Sequence, residues 1–322
     1  MELDISIHRG HPEKPVAVFI HGLAMDKQFW LDPLETRAFA KNVPLRFLAA
    51  VKPRPVASDR KSRITIGTIP KKVETIWSHV TAEDFNALCW SQRRPVGPIS
   101  TAVEDLEEIM AVVKKHFEGL PSAFICHSRG GLIARKYLER KCPEIKALIT
   151  IASPHGGSSL SKISRYIEPL TKPVKAIVPK NSVSTVSKIA HNLRDLVEGK
   201  ALKELMPDSD FLQNLKDEPV TGRQYLSFGG MKPGLLRIYR WEKTLDTMKA
   251  NPVMTIPDSL LKFIPASAVP DEFRPGKGDF MVTAARAVLP WSSEHYNLQA
   301  NHFTIAWNKK VIEKTMDVLR KI

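Results

Sequence analysis

Phe124-Ile125-Cys126-His127-Ser128-Arg129-Gly130-Gly131 is the stretch that decides the fold. An apolar run from Ser122 to Cys126 enters a serine, and a helical segment from Leu132 to Leu138 follows at once. A strand, a sharp turn and a helix with a hydroxyl at the apex make up a nucleophile elbow. Such a turn needs small residues on either side, because it brings those backbone positions together. Here Cys126 and Gly130 hold them. A serine hydroxyl is a weak nucleophile until a base takes its proton and N–H donors meet the charge that develops on the substrate oxygen. The remainder of the chain must therefore supply a base, a group to orient it, and donors.

The elements on either side of the elbow alternate. Pro15 to Ile20 reads as a short apolar strand ending at His21-Gly22, and a helical stretch runs roughly from Lys27 to Lys41. Residues 51–63 are rich in Pro, Lys, Arg and Ser and read as irregular; Thr65 to Val80 reads as a short strand with a helix. Phe85 to Ser91 is a strand candidate. Ser100 to Phe117 is the clearest helix: Val103, Leu106, Ile109, Met110 and Val113 recur at helical spacing, and Ser100 or Thr101 is placed to cap it. Ile145 to Ala152 is a buried strand, and sheet signals return at Gln224 to Phe228 and near Tyr296. Strands alternating with helices predict an α/β fold: a mostly parallel sheet with helices on both faces. From Ser158 to about Val220 the apolar stripes (Ile163, Ile167 and Leu170, then Val183 to Leu196) are helical without strands. An insertion of this kind between two strands predicts a helical cap at 158–220, over a core built from 1–157 and 221–322.

With 322 residues the chain can bury a large core, and its 43% hydrophobic and 25% charged residues are ordinary for a globular protein. No apolar run approaches a membrane span. The start, Met1 to His8, has no basic end followed by an apolar stretch, so no secretory signal is read there. Three cysteines (Cys89, Cys126 and Cys142) form no CxxC pair and no metal-ligand spacing; sparse thiols of this kind suit a reducing, cytoplasmic setting. The formal net charge is +14, with basic residues concentrated between Lys41 and Lys72 and between Lys162 and Lys200. Such an excess can attract anionic lipid, acidic substrate or nucleic acid, or can simply solvate a surface. No stacking aromatics interleave these clusters and no nucleic-acid module is recognisable, so a solvated face is expected and a nucleic-acid partner is not.

In an open α/β sheet, functional groups collect beyond the strand C-termini. Those positions hold His21-Gly22-Leu23, Ser128, Pro154-His155-Gly156, Asp279 and His302. Ser128 is the candidate nucleophile. His302 is the candidate base, since it follows the last strand and can be presented by a loop. His295 is its rival but falls inside or before that strand. Asp279, in the loop from Gly276 to Val282, is the candidate acid that orients the imidazole; Asp271 and Glu272 are the nearest alternatives. The backbone N–H groups of Leu23 and Arg129 are the candidate oxyanion donors. His21, Gly22, His127 and Gly130 are supporting residues, with the His127 ring directed away from the hydroxyl, and His155 reads as structural. No HExxH or comparable cluster argues for a metal, and no cofactor is expected.

These residues resemble the bacterial triacylglycerol lipases of the α/β-hydrolase superfamily and the inositol deacylases of glycolipid anchors. The resemblance rests on His21-Gly22-Leu23, the segments from His127 to Arg135 and from Thr150 to Ser158, Gly278-Asp279 with Val282, and Asn301-His302-Phe303. The segment Leu205 to Leu212 is similar to the one that closes the cap in those relatives. The order Ser, acid, His is that of the superfamily. The resemblance implies hydrolysis of a small-molecule or lipid ester of an apolar acyl chain through an acyl-enzyme, beneath a helical lid; the apolar stripes of the cap beside its many lysines suggest a lid that touches a lipid surface. Two departures concern metals. The calcium site of secreted members uses an aspartate two residues after the histidine, where this chain has Thr304; His79 and Asp84 alone are too few for the zinc site of thermostable relatives. The same acyl-enzyme passed to an alcohol or thiol would make an acyltransferase, and a retired site would leave a basic binding protein. The intact Ser, His and Asp set favours the hydrolase.

Overall fold

The computed structural model describes residues 2–36, 45–57, 63–159, 200–261 and 265–322. The centre is a seven-stranded sheet. In chain order its strands are β1 (Asp4–His8), β2 (Val16–Ile20), β4 (Asn86–Ser91), β5 (Ser122–His127), β6 (Ile145–Ile151), β7 (Gln224–Gly230) and β10 (Glu294–Leu298). Side by side they run β1-β4-β2-β5-β6-β7-β10. Every neighbouring pair is parallel except β1 with β4.

A parallel sheet must be covered on both faces, and alternation along its strands sorts the side chains between two cores. Val16, Val18 and Ile20 of β2 face one way, with Phe124 and Cys126 of β5. They meet α3 (Ile99–His116) and α4 (Arg129–Tyr137) through Leu106, Ile109, Leu132 and Ile133. Ala17 and Phe19 face the other way. That side is covered by α1 (Gln28–Leu31), α2 (Ile76–Ala82) and α8 (Lys309–Leu319). All five residues of β2 are fully buried, which explains why its sequence is uniformly apolar instead of alternating.

The structure corrects the sequence reading at several points. Pro98, not Ser100 or Thr101, stands at the N-cap of α3, with no side-chain cap of its own. The acceptor comes from far along the chain: Glu204 Oε2 takes the Ile99 N–H at 2.8 Å. The C-terminal helix is preceded by a separate turn. Thr304–Trp307 is a 3-10 turn, and α8 starts after Asn308, whose side chain accepts the Lys310 N–H at 2.9 Å. The strand β1 was not anticipated, because its residues are only half-buried at the sheet edge.

A second sheet was also unforeseen. Its three antiparallel strands are β3 (Ile64–Thr65), β8 (Leu236–Lys243) and β9 (Met248–Ile256), in the order β9-β8-β3. Tyr239, Trp241 and Ala250 make a small core of their own, and α7 (Asp258–Leu261) follows β9.

The helix expected from Lys27 to Lys41 stops at Leu31, where Asp32 turns extended; residues 37–41 of that stretch, and the cap stripes from Ile163 to Leu196, lie outside the described residues. What is described of that region returns at α5 (Lys200–Lys203) and α6 (Asp210–Gln213). Ala201, Leu202 and Leu205 are buried against the α3 and α4 side of the core. Asp217 then accepts a two-pronged ion pair from Arg135 of α4, at 2.8 and 2.9 Å, and both side chains are buried. The chain is thereby fastened before it enters β7.

Candidate active site

Ser128 lies between β5 and α4 with φ 54° and ψ −128°, a conformation that side chains other than glycine rarely adopt. Its N–H is tied to the Ile151 carbonyl at 2.9 Å. The sharpness of the turn forces close approaches. A Cβ on Gly130 would lie 2.4 Å from the Ile20 carbonyl oxygen, so only glycine lets α4 start this near β2. On Gly22 a Cβ would lie 2.9 Å from that of Ser128. The small residue at Gly22 is what allows the loop after β2 to rest on the serine.

His302 follows β10, on a turn that Asn301 shapes by accepting the N–H groups of Phe303 (3.1 Å) and Thr304 (2.9 Å). Its Nε2 is 2.9 Å from Ser128 Oγ, and its Nδ1 is 3.0 Å from Asp279 Oδ2. The carboxylate can only accept, so the proton sits on Nδ1 and Nε2 is left bare toward the hydroxyl. The other oxygen of Asp279 accepts the backbone N–H groups of Met281 (2.9 Å) and Val282 (2.7 Å). The His302 N–H goes to the Asp279 carbonyl at 2.9 Å, so backbone as well as side chain joins the two loops. All three side chains are buried, at 6%, 1% and 0% exposure for Ser128, His302 and Asp279.

The alternatives fall elsewhere. His295 is in β10, bonded to Ser227 Oγ (2.8 Å) and Asn297 Oδ1 (2.9 Å). Asp271 pairs with Arg274 and Lys277. Glu272 is buried against Arg286 and the Ser159 N–H, on the wall of a cleft of about 860 Å³. Ser128 is not among the described residues lining that cleft.

The supporting residues form a second circuit. The Gln92 N–H points at His21 Nε2 (3.0 Å), so the His21 proton is on Nδ1, where it donates to the Gly22 carbonyl (2.9 Å). His127 Nε2 donates to the His302 carbonyl at 2.7 Å, so its ring supports the His302 loop. The Arg129 side chain carries a role that the sequence did not reveal. It is fully buried and donates to the Gly97 carbonyl (2.5 Å) and to Gln92 Oε1 (2.8 Å). Gln92 Nε2 in turn donates to the His21 carbonyl (3.0 Å). Burial lowers the Arg129 pKa to about 10, which still leaves it charged at neutral pH. Burial also raises the Glu204 carboxyl above its ordinary range, opposed by the N–H of Ile99 and the charge of Arg129. Among the described residues, the Leu23 and Arg129 N–H groups meet no acceptor. The pattern of small apolar residues around Ser128 gave no hint that an arginine would be buried there. His155 is buried beside Thr150 Oγ1 (3.0 Å) and Arg135 (3.4 Å), away from the serine contacts. Cys126 is buried in β5, where its thiol is held protonated.

Burial holds three of these imidazoles neutral: it lowers the His21 pKa to about 4 and takes His127 and His155 well below the usual histidine value. In the unfolded chain they take up protons near pH 6.5, so acidification favours unfolding before the folded state can protonate. The stability they contribute is present above pH 6.5 and lost as pH falls toward 4. Thermal melting followed from pH 7.5 to 4 should show the midpoint falling steadily through this window. A midpoint that stays flat would contradict neutral burial.

Among the described residues no group of three or more His, Cys, Asp or Glu side chains is placed to hold a metal ion.

A family model described as serine aminopeptidase, S33 matches residues 90–234, from β4 through the elbow to the end of the loop after β7. The mature form of a Bacillus licheniformis lipase, BlEst2, superposes with a TM-score of 0.54 at 15% identity, covering 98% of this chain and 97% of that one. Its propeptide form superposes with a TM-score of 0.51 at 16% identity, covering 98% of this chain and 53% of that one. No curated protein sequence matches the chain. The chain has the α/β-hydrolase fold.

Proposed function

We propose that this protein is a serine ester hydrolase that cleaves carboxylic esters of apolar acyl chains, with Ser128 as nucleophile. The observation that carries this reading is the alignment of Ser128 Oγ, His302 and Asp279 through contacts of 2.9 and 3.0 Å. Structural neighbours bearing the name lipase favour ester over amide substrates.

In this mechanism Ser128 Oγ attacks the ester carbonyl while its proton passes to His302 Nε2. The imidazolium so formed is held by Asp279, whose own charge is anchored by two backbone N–H groups. The carbonyl oxygen becomes an oxyanion and accepts from the N–H groups of Leu23 and Arg129. His302 then returns the proton to the departing alcohol, leaving an acyl-Ser128. Water, deprotonated by His302, attacks that ester and releases the acid and the free serine. The chain segment at 158–220 is proposed as the cap that covers this site, and residues 1–157 with 221–322 as the catalytic core. No cofactor enters any step.

Arg129 gives a test of the donors that leaves them in place. Arg129→Met removes the guanidinium but keeps the backbone N–H, so the Gly97 carbonyl and Gln92 lose their partner and the loop of Leu23 loses its tie. Misplacing one donor by about an ångström costs up to about 10²-fold in rate. Steady-state kinetics should show that loss in kcat, with KM little changed, because the donors act on the transition state. A loss confined to KM would remove Arg129 from this positioning role.

The function itself is tested with a chain-length series of p-nitrophenyl esters, an amide analogue and Ser128→Ala alongside. Turnover of esters by the native chain alone is expected, with the length optimum sizing the acyl pocket. Amide cleavage without ester cleavage would overturn the reading.

A further inference from the structure

The second sheet is not used by the chemistry above, and its surface is unusual. Leu245 sits at the tip of the β8–β9 hairpin, in a turn closed by Thr244 and Thr247, and is 98% exposed. Val253, on a bulge in β9, and Ile64, in β3 opposite Arg240, are also exposed. So is Val51, in a segment that bridges onto Thr68. Exposed aliphatics scattered singly are ordinary, and the feature that stands out here is a leucine left wholly in water at a projecting hairpin tip.

The charges around them have one dominant sign. Arg237, Arg240, Lys243 and Lys249 project from the two long strands, all exposed, and Lys52 and Arg54 from the bridging segment. The carboxylates on the hairpin are Glu242, which is bonded to Asn251, and Asp246 at the tip. By register Arg240 and Lys249 lie on one face of the sheet, with Lys249 opposite Glu242, and Arg237 and Lys243 on the other, so cations flank the hairpin tip from both faces. An exposed aliphatic flanked by lysine and arginine suits the boundary between lipid headgroups and acyl chains: the aliphatic enters the apolar layer and the long cationic side chains reach back to phosphates. A nucleic acid would want exposed stacking rings, but Tyr239 and Trp241 are turned into the small core. Among the described residues no helix is long and apolar enough to cross a membrane.

We infer that the β3-β8-β9 sheet, led by Leu245 with Lys243 and Lys249, docks this protein onto anionic lipid surfaces. The root of the sheet adds a reason for such a device to exist. Asn301, which shapes the His302 turn, donates from Nδ2 to the Gly234 carbonyl (3.0 Å), and the Lys232 N–H goes to the Ala300 carbonyl (3.2 Å). Docking through this hairpin would tether the His302 loop to the lipid surface by way of the root of the sheet. The docking goes beyond the ester-hydrolase reading and does not depend on it.

The test is sedimentation of the full chain with vesicles of mixed phosphatidylglycerol and phosphatidylcholine, against phosphatidylcholine alone. Binding is expected to the anionic vesicles, falling as salt rises. Lys243→Gln with Lys249→Gln should weaken it about 25-fold, at about fivefold for each charge. Leu245→Ser should weaken it about tenfold. Leu245→Trp should bind and show a blue-shifted emission on the vesicles. These positions are exposed, so the variants should melt with the native protein. Equal binding to neutral vesicles, native-strength binding by the charge variant, or an unshifted Leu245→Trp emission would each overturn the proposal. So would a stronger preference for single-stranded DNA than for the anionic vesicles.

Discussion

Ser128→Ala is expected to reduce kcat toward ester substrates by about 10⁶-fold while leaving the fold intact. The size follows from how a serine, histidine and acid act as a unit: losing the nucleophile alone costs about as much as losing all three. The fold should survive because the substitution removes one oxygen. The Ser128 N–H stays on the Ile151 carbonyl, the close approach at Gly22 is to the Ser128 Cβ that alanine keeps, and the one at Gly130 is to the Ile20 carbonyl, which the substitution does not touch. Alanine must still adopt the positive φ of the elbow, as serine does, so no new strain is expected. The measurement is ester turnover by the purified variant, with the melting midpoint beside it. Residual hydrolysis of about 10³-fold over water is compatible with donors and binding alone. Undiminished turnover would show that another residue is the nucleophile.

Asp279→Asn should cost about 10⁴-fold, and the reason lies in hydrogen-bond direction. Asp279 Oδ1 accepts from the N–H groups of Met281 and Val282, so an asparagine must place its carbonyl oxygen there. Its NH₂ group then faces His302 Nδ1, which has to accept. The imidazole proton is driven to Nε2, toward Ser128, and the base becomes a donor. The geometry can be almost unchanged while the chemistry is lost. Raising pH above the optimum should recover only part of the rate, because a more basic solution removes the Ser128 proton without restoring the tautomer. A pH profile of kcat with the variant measures this. Asp279→Ala is the companion: loss of similar size without a wrong-way donor would point instead to the carboxylate charge. A variant with native kcat would shift attention to Glu272 or Asp271, neither of which contacts His302 in the structure.

Much of the parallel sheet was legible because a strand buried on both faces must be apolar over its whole length. Val16–Ile20 satisfies that rule throughout, and Ser122–Cys126 and Ile145–Ile151 nearly so, broken only by Ser122, the exposed Lys146 and Thr150, so no knowledge of their neighbours is needed to find them. The strand β1 and the β8–β9 hairpin escaped notice for the opposite reason. Their outward residues, such as Arg237, Arg240 and Lys249, break the apolar runs, and only pairing makes them strands. The Ile99–His116 helix was readable from its apolar spacing, yet its cap was not, since Glu204 is more than a hundred residues away in sequence. The candidate acid shows the same limit. Asp271, Glu272 and Asp279 all sit in a stretch of loop residues of similar character, and the structure separates them by distance: Asp279 meets His302, Glu272 meets Arg286, Asp271 meets Arg274 and Lys277.

By itself, then, the sequence determined the alternation of strands and helices, the sharp turn at Ser128 and the order in which serine, carboxylate and imidazole follow one another. Those are properties of neighbouring residues, set by hydrophobic periodicity and by the sterics of a tight turn. Tertiary structure alone decided that Arg129 folds inward onto Gly97 and Gln92, that His127 supports the His302 loop from its carbonyl, and that Leu245 stands in solvent among cations. Each of these depends on which surfaces meet after the chain has closed on itself, and burial, charge pairing and exposure do not exist as quantities until it has.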